Sequence, residues 1–288
     1  MTTNPRIAGV LAHPSSLPGS QSFGALGHDT LNFLDFLHAA GFRLWQILPL
    51  GPVDQTGSPY NSASAFAGDP RLICPQEMRA LGLAPPTPLF PDPYKNNLPL
   101  FSAYDHFINV AQHPFNERLA RFCSEQAHWV QDYALFCAIK NTYNGVAWSE
   151  WPAELRDRDP EALKAFSDQQ QLLINYFLFE QCVFFAQWQR VRTHAHHKNI
   201  RILGDIPIFV AWDSADVWAN RDMFLLDDTG KPSVIAGVPP DYFSQEGQRW
   251  GNPLYHWQAL SETGFHWWKA RLQHALSLYD LVRIDHFR

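Results

Sequence analysis

The segment that decides the fold begins with IAGVLAH at residues 7–13 and ends with RLWQILPLGP at residues 43–52. Each run is almost continuously apolar, which is typical of a strand buried on both faces of a parallel sheet. Between them, residues 26–40 place apolar side chains at helical spacing and end at Gly41, a residue type that commonly follows a helix. Strand, helix and strand in about 45 residues form a βαβ unit, so we predict an α/β fold with a parallel sheet.

Two further apolar runs predict two more strands, IRILGDIPIFV at residues 200–210 and LVRIDHF at residues 281–287. The stretch before the third strand is far longer than a plain crossover needs. It contains two amphipathic patterns, at residues 119–140 and 173–191, each of which predicts a helix.

These elements suggest three parts of the chain. We interpret residues 1–52 as the first βαβ unit of a barrel and residues 53–170 as an inserted loop and helical subdomain. Residues 171–288 would continue the barrel through its fourth strand and include a long loop at residues 211–262.

Composition excludes several classes of protein. The net charge is −6 and the longest basic stretch is residues 194–198, so we predict no nucleic-acid binding. The four cysteines lack C-x-x-C spacing, which favours reduced thiols over a zinc or redox site. No apolar run reaches ~20 residues and no secretory leader is recognisable, so we predict no membrane association and a cytoplasmic location.

Aromatic residues make up 14% of the chain, and several lie beside glycine, proline or asparagine. Tyr60 lies in the loop GSPYNSASAFAGDP, and a second such loop is GVPPDYFSQEGQRWGNPLYHW at residues 237–257. Aromatic side chains in loops often form platforms for sugar rings, and loops after barrel strands form active sites. For Tyr60, packing beneath the inserted subdomain is an equally open interpretation.

The strongest candidates for chemistry lie at predicted strand ends. Strand alternation places Arg283 and Asp285 on one face and His286 on the other. A nearby guanidinium keeps a carboxylate ionised, as a nucleophile requires, although a buried pair closing the strand end fits equally well. Asp205 ends the third strand core, where it could bind sugar hydroxyls or cap a turn.

Other polar residues are expected to have structural roles. Asp213 and Asp216 are predicted to cap a short helix. The histidines at residues 194, 196 and 197 are predicted to lie at a helix C-terminus rather than to bind a metal. Glycine-rich nucleotide motifs are absent from the sequence, and we predict neither a metal nor a cofactor.

Taken together, the motifs resemble the amylomaltase or disproportionating-enzyme family, the 4-α-glucanotransferases of glycoside hydrolase family 77. The matching stretches, in the family's order, are AGVLAHPSSLPG, WQILPLGP, GSPYNSASAFAGDP, GDIPIFVAWDSADVW, GVPPDYFSQEGQRWGNPLYHW and VRIDHFR. The resemblance implies a (β/α)₈ TIM barrel with an inserted helical subdomain. It also implies a retaining mechanism on α-1,4-glucans, with maltooligosaccharides as substrates.

The resemblance assigns roles to individual residues. Asp285 would be the nucleophile and Arg283 its charge partner, while Asp205 would help to bind the donor sugar. Tyr60 would stack beside the cleaved bond. The predicted substrate-binding set is completed by Asp241 on a flap at residues 239–247, Trp250 and Asn252 along the glucan channel, and His286.

The family continues beyond the position that matches Arg288, and that further portion carries a glutamate acid/base and another aspartate. We therefore expect this sequence to be the N-terminal portion, with the first half of the barrel, inactive without its C-terminal half. Gln55 stands where some relatives carry a tyrosine of a remote glucan site, which puts that site in doubt. A non-catalytic glucan-binding fragment and an α-glucan hydrolase are the alternatives.

Overall fold

A computed structural model of the protein describes residues 6–18, 23–53, 57–83, 98–242 and 244–287, so Gln55 lies outside the described residues. The strands are β1 (Gly9–Leu11), β2 (Leu44–Gln46), β3 (Arg201–Pro207), β4 (Ile235–Val238), β5 (Gln248–Pro253) and β6 (Leu281–Asp285). The helices are α1 (His28–Ala39), α2 (Leu98–Asn109), α3 (Phe115–Glu125), α4 (Val130–Thr142), α5 (Ala153–Arg156), α6 (Pro160–Gln169), α7 (Gln171–His197), α8 (Ala215–Ala219), α9 (Trp257–Glu262) and α10 (His266–Leu278).

A parallel sheet in the order β1-β2-β3-β6 forms the centre of the fold. This confirms the α/β class, and its four strands lie within the four predicted apolar runs. Each is shorter than predicted; β2 covers only three residues of the run at residues 43–52. Pro49 and Pro52 have no N–H to donate to a neighbouring strand, which explains why pairing ends early there. The division of the chain into three parts stays a prediction.

The helix predictions are confirmed at α1 and α7 but wrong for residues 119–140. That pattern belongs to two helices, α3 and α4, separated by a break at residues 126–129. At the break, Trp129 leaves helical geometry with ψ −33° and φ −144°, and its indole N–H donates to Gln126 Oε1 at 2.8 Å. The ring then stacks on Phe66 at 6.1 Å, so core packing overrides the helical pattern.

The predicted loop at residues 211–262 contains regular structure, which corrects the sequence interpretation. It includes α8, an antiparallel hairpin of β4 and β5, and α9. The alternating pattern that normally reveals a strand is interrupted here by Gly237, Gly251 and Pro253. Gly237 is required by the close pairing, because a Cβ there would lie 2.3 Å from the Gln248 carbonyl oxygen.

The cap of α8 also differs from the prediction. Ser214, rather than Asp213 or Asp216, is the N-cap, and its hydroxyl accepts from Val217 N. Asp216 instead accepts from Ala65 N at 2.7 Å, a residue of the loop after β2. The carboxyl groups were not available as caps because both bind segments distant in sequence; Asp213 pairs with the Lys140 ammonium group.

The longest helix, α7, attaches the chain after β2 to the core through two side-chain amides. Gln181 donates to Gly68 O and accepts from Gly68 N, at 3.0 and 2.8 Å. Gln187 makes the same pair of bonds with Cys74, at 2.9 and 2.7 Å. All four polar groups are thereby satisfied inside the protein, where an unpaired one would be costly.

The histidines at the end of α7 lie where the sequence predicts. His194 Nε2 is 2.8 Å from Asp35 Oδ1, and His196 Nε2 is 2.8 Å from Asp280 Oδ1. Each therefore has its own carboxylate partner on a neighbouring element. Among the described helices, none is long and apolar enough to cross a membrane. The cytoplasmic location stays a prediction.

Glu180 on α7 is 2% exposed, and burial raises its pKa from 4.5 to about 8, against hydrogen bonds with Tyr176 and Gln181 that lower it. Between those two pH values the folded chain holds a proton that the unfolded chain releases, so this group lowers stability as pH rises through that interval. We expect Glu180→Gln to raise the free energy of unfolding at pH 8 by on the order of a few kcal/mol.

At pH 4 the Glu180→Gln difference should be small, because both states then carry the proton. Urea denaturation at the two pH values measures this, and exposed Glu125→Gln on α3 is the matched control. A gain in stability that is equal at both pH values would contradict the prediction.

Candidate active site

The carboxyl ends of β3 and β6 bring two acids and one cation together. In the sheet register Asp205 lies opposite Arg283, and Pro207 lies opposite Asp285. Arg283 Nη1 donates to Asp205 Oδ2 at 2.6 Å, and its Nη2 donates to Asp285 Oδ1 at 2.5 Å. One guanidinium therefore bridges carboxylates from neighbouring strands, which the sequence alone could not show.

Tyr60 reaches the same group from the loop that follows β2. Its hydroxyl donates to Asp205 Oδ2 at 2.7 Å, so that oxygen accepts from both Tyr60 and Arg283. Packing beneath the inserted subdomain therefore does not account for Tyr60, because its polar end lies at the strand ends.

Buried polar side chains anchor the loop that carries Tyr60. Each of three anchors is at most 7% exposed and binds a main-chain group of the loop. The contacts are Ala65 N to Asp216 Oδ2 at 2.7 Å, Phe66 O to His274 Nε2 at 2.8 Å, and Gly68 N to Gln181 Oε1 at 2.8 Å. Burial lowers the pKa of His274 to about 4, so the ring is neutral at neutral pH and Nε2 carries the proton donated to Phe66.

The two acids of the site lie in different environments. The Asp205 side chain is 1% exposed, whereas that of Asp285 is 30% exposed. Burial raises the pKa of Asp205 above its ordinary value, although the Tyr60 hydroxyl and the Arg283 charge both lower it. Asp205 is therefore a buried acceptor, while Asp285 faces open space.

The pKa values of Tyr60 and Arg283, the two hydrogen-bond partners of Asp205, are also shifted. Burial, followed by the hydrogen bond to Asp205, raises the pKa of Tyr60 to about 12, so the phenol keeps its proton as a donor. Burial lowers the pKa of Arg283, but the attraction of Asp205 and Asp285 raises it by more, so the pKa is raised overall. The guanidinium is thus a permanent cation between the two carboxyl groups.

Asp285 opens into a cavity of about 490 Å³ that combines aromatic and polar side chains. That volume lies within the range of small-molecule binding sites. The cavity is lined by Ser58, Tyr60, Asn61, Pro207, Ile208, Phe209, Gln248, Trp250, Asn252, Asp285 and His286. Tyr60, Trp250, Asn252, Asp285 and His286, all predicted from sequence, are therefore brought together.

His286 lies in the cavity beside Asp285, although strand alternation predicts opposite faces. β6 ends at Asp285, and His286 adopts a left-handed conformation with φ 50° that redirects its side chain. Its ring meets Trp250 edge-on, with centroids 4.7 Å apart. Left-handed backbone at a non-glycine residue is uncommon and clusters at functional sites.

Two further predicted residues lie in the hairpin region. Asn252 is 8% exposed and donates to Val210 O at 2.8 Å, which fixes β5 against the chain after β3. Asp241 lies in the connection between β4 and β5, where Asp241 Oδ1 accepts from Ser244 N at 2.8 Å. The structure does not place Asp241 among the residues that line the cavity.

Sequence reasoning missed six lining residues: Ser58, Asn61, Pro207, Ile208, Phe209 and Gln248. Phe209 stacks on Tyr255 with centroids 6.0 Å apart and also packs against Trp250 at 6.4 Å. Its position at the carboxyl end of the predicted strand at residues 200–210, where barrel sites form, was the available signal.

Known proteins are similar to this chain in sequence and in fold. A family model described as 4-alpha-glucanotransferase matches residues 12–288. The chain belongs to this family. It is 46% identical to a 4-alpha-glucanotransferase of Thermus thermophilus and 44% identical to one of Synechocystis, over 99% and 98% of this chain. It spans 59% of the length of each of these two relatives.

Solved structures of this family share the fold. An amylomaltase from Streptococcus agalactiae in complex with acarbose superposes with a TM-score of 0.91 at 36% identity. The match covers 98% of this chain and 60% of that one. An amylomaltase from Corynebacterium glutamicum, 19% identical, has a TM-score of 0.72 over 97% of this chain and 40% of that one, and supports the fold alone.

Replacing Arg283 with glutamine removes a charge and a hydrogen bond that lower the pKa of Asp205. We therefore expect Arg283→Gln to raise the pKa of Asp205 further, because burial is then opposed by Tyr60 alone. A pH titration of the Asp205 carboxyl ¹³C shift by NMR measures this.

The matched control for Arg283→Gln is Arg201→Gln, since Arg201 is exposed at the opposite end of β3. An Asp205 pKa that falls or stays constant in Arg283→Gln would show that the bridging guanidinium does not govern this acid.

Proposed function

We propose that the protein transfers α-1,4-glucan segments between maltooligosaccharides by a retaining double displacement, as part of a longer 4-α-glucanotransferase. The observation that carries this is the Arg283 bridge, which holds Asp285 at the wall of an aromatic cavity of about 490 Å³. Membership of the family supports the reaction class.

Asp285 is the nucleophile in this proposal. Its carboxylate oxygen bonds to the anomeric carbon of the donor as the glycosidic C–O bond breaks, and the leaving oxygen takes a proton from a general acid. A hydroxyl of the acceptor glucan then attacks the same carbon, the bond to the Asp285 oxygen breaks, and the hydroxyl proton passes to the deprotonated form of that general acid. Arg283 supports the first step by pairing with the Asp285 carboxylate and by fixing its Oδ1.

The remaining side chains of the site bind either the donor sugar or the acceptor glucan. Asp205 and Tyr60 form one hydrogen-bonded unit that binds the donor sugar, with the Tyr60 ring stacked beside the cleaved bond. Trp250, Asn252 and His286, which line the same cavity, follow the path of the glucan. Asp241, on the connection between β4 and β5, belongs to a flap over the acceptor, which would favour transfer over hydrolysis by excluding water.

Glucan binding without turnover is the second candidate. It is favoured by the lining of the cavity, in which Asp285 is the one acidic side chain among the described residues. A retaining enzyme needs a second carboxyl group as acid and base about 5 Å away. The resemblance places that group in the portion of the family beyond the matched residues, so turnover depends on a completed protein.

The first test uses a fusion of this chain to the C-terminal portion of a family member, such as the Thermus thermophilus relative. Incubation with maltotriose should give glucose and a ladder of longer oligosaccharides, and shorter sugars alone would indicate a hydrolase instead. Asp285→Asn should abolish both products and the trapped glycosyl-enzyme, because the attacking oxygen is lost. Exposed Asp228→Asn is the control, and a covalent intermediate that persists in Asp285→Asn would overturn the assignment.

The second test concerns binding by the 288-residue chain itself. Trp250→Ala removes an aromatic wall of the cavity, so we expect maltoheptaose affinity to fall about tenfold in isothermal titration. Trp257→Ala is a matched control, because Trp257 is 55% exposed and does not line the cavity. Equal losses in both variants would contradict the proposed path of the glucan.

A further inference from the structure

Arg271 on α10 is a cation buried in the interior behind the cavity. It is 2% exposed, and its charge acts on the buried carboxyl group of Asp216, opposing the rise in pKa that burial causes there, without a direct salt bridge between the two among the described residues. Its guanidinium lies over the rings of Trp267 and Trp268, 5.4 and 5.1 Å from their centroids. Burying a charge is expensive, so the partners that it does have need an explanation.

Those partners are the main chain just after Asp205 and one phenol. Arg271 Nη2 donates to Pro207 O at 2.6 Å, and Nη1 donates to Ile208 O at 3.3 Å. Nη1 also donates to the Tyr255 hydroxyl oxygen at 3.2 Å, and that hydroxyl itself donates to Ile208 O at 2.8 Å. The planar fork of one guanidinium thus holds two consecutive carbonyl groups and the side chain that binds the second.

The segment that Arg271 holds is a wall of the cavity. Pro207, Ile208 and Phe209 all line it, and Pro207 lies opposite Asp285 in the sheet. Tyr255, the other partner of Arg271, stacks on Phe209 with an interplanar angle of 22°. A shift of the guanidinium would therefore move both the backbone and an aromatic face of this wall.

Stability of the fold does not by itself explain a buried cation. Replacing buried charged groups with apolar side chains of similar volume is often neutral or stabilising. A role in geometry explains the arrangement, because Asp285 and the wall at residues 207–209 must keep a fixed separation for a sugar to fit between them. The carbonyls that Arg271 holds lie two and three residues beyond Asp205.

We propose that Arg271 is a positioning residue that sets the wall at residues 207–209, and through Tyr255 the Phe209 ring, for glucan binding. The part of this inference that concerns glucan rests on the proposed function. The part that concerns the wall rests on the contacts alone.

The experiment compares Arg271→Met, Arg271→Lys and the control Lys269→Met, an exposed position on the same helix, in the 288-residue chain. Hydrogen–deuterium exchange followed by mass spectrometry is the first measurement. In Arg271→Met we expect exchange at residues 206–212 and 249–255 to be about tenfold faster, with exchange in the rest of the chain close to that of the unsubstituted protein. Arg271→Lys should fall between, because a point charge cannot serve both carbonyl groups.

Maltoheptaose titration is the second measurement. Affinity should fall about tenfold in Arg271→Met and remain unchanged in Lys269→Met. If the unsubstituted chain fails to bind maltoheptaose, the proposed function fails, while the exchange at residues 206–212 still decides whether Arg271 holds the wall.

Two outcomes overturn the inference. Unchanged exchange at residues 206–212 would show that the wall is held without Arg271. Exchange that rises evenly along the chain, with a lower melting temperature, would show a general structural role. If Arg271→Met does not fold, Tyr255→Phe carries the test, since it removes the hydroxyl group that lies between Arg271 and Ile208. The same local increase in exchange is then expected. Protection equal to that of the unsubstituted chain would refute the proposal.

Discussion

The guanidinium of Arg283 lies between two carboxylates that belong to neighbouring strands, and the geometry of the site depends on it. Asp205 and Arg283 face each other only because β3 and β6 run parallel in this register. A slip of one residue would send Arg283 to the opposite face and separate it from both acids. The parallel register of β3 and β6 therefore determines that Arg283 meets both Asp205 and Asp285.

Around the Arg283 bridge, several buried polar side chains bind the main chain of loops. Gln181, Asp216 and His274 hold the main chain near Tyr60, while Arg271 holds the main chain after β3. Buried polar contacts of this kind contribute little net stability but are costly to break. The loops after β2 and β3 are thereby attached to the helices α7, α8 and α10.

The sequence predicts the sheet, because apolar runs, prolines and glycines are local signals, and it predicts five of the eleven described residues that line the cavity. It could not predict that Arg283 bridges both acids, since the bridge depends on the register of strands 78 residues apart. His286 was assigned to the wrong face because a left-handed backbone angle leaves no trace in composition. Phe209 was missed for a similar reason, as its contact with Tyr255 links segments that only the folded hairpin brings together. The catalytic roles came from resemblance to a family.

The amide pairs of α7 have a consequence for how mutations are tolerated. Gln187 binds the main-chain N–H and carbonyl of Cys74, and neither bond involves the cysteine side chain. Substituting Cys74 therefore leaves the attachment intact, whereas substituting Gln187 removes both bonds at once and strands two buried peptide groups. At this attachment, sensitivity to substitution is therefore expected at Gln187 of the helix rather than at the side chain of Cys74.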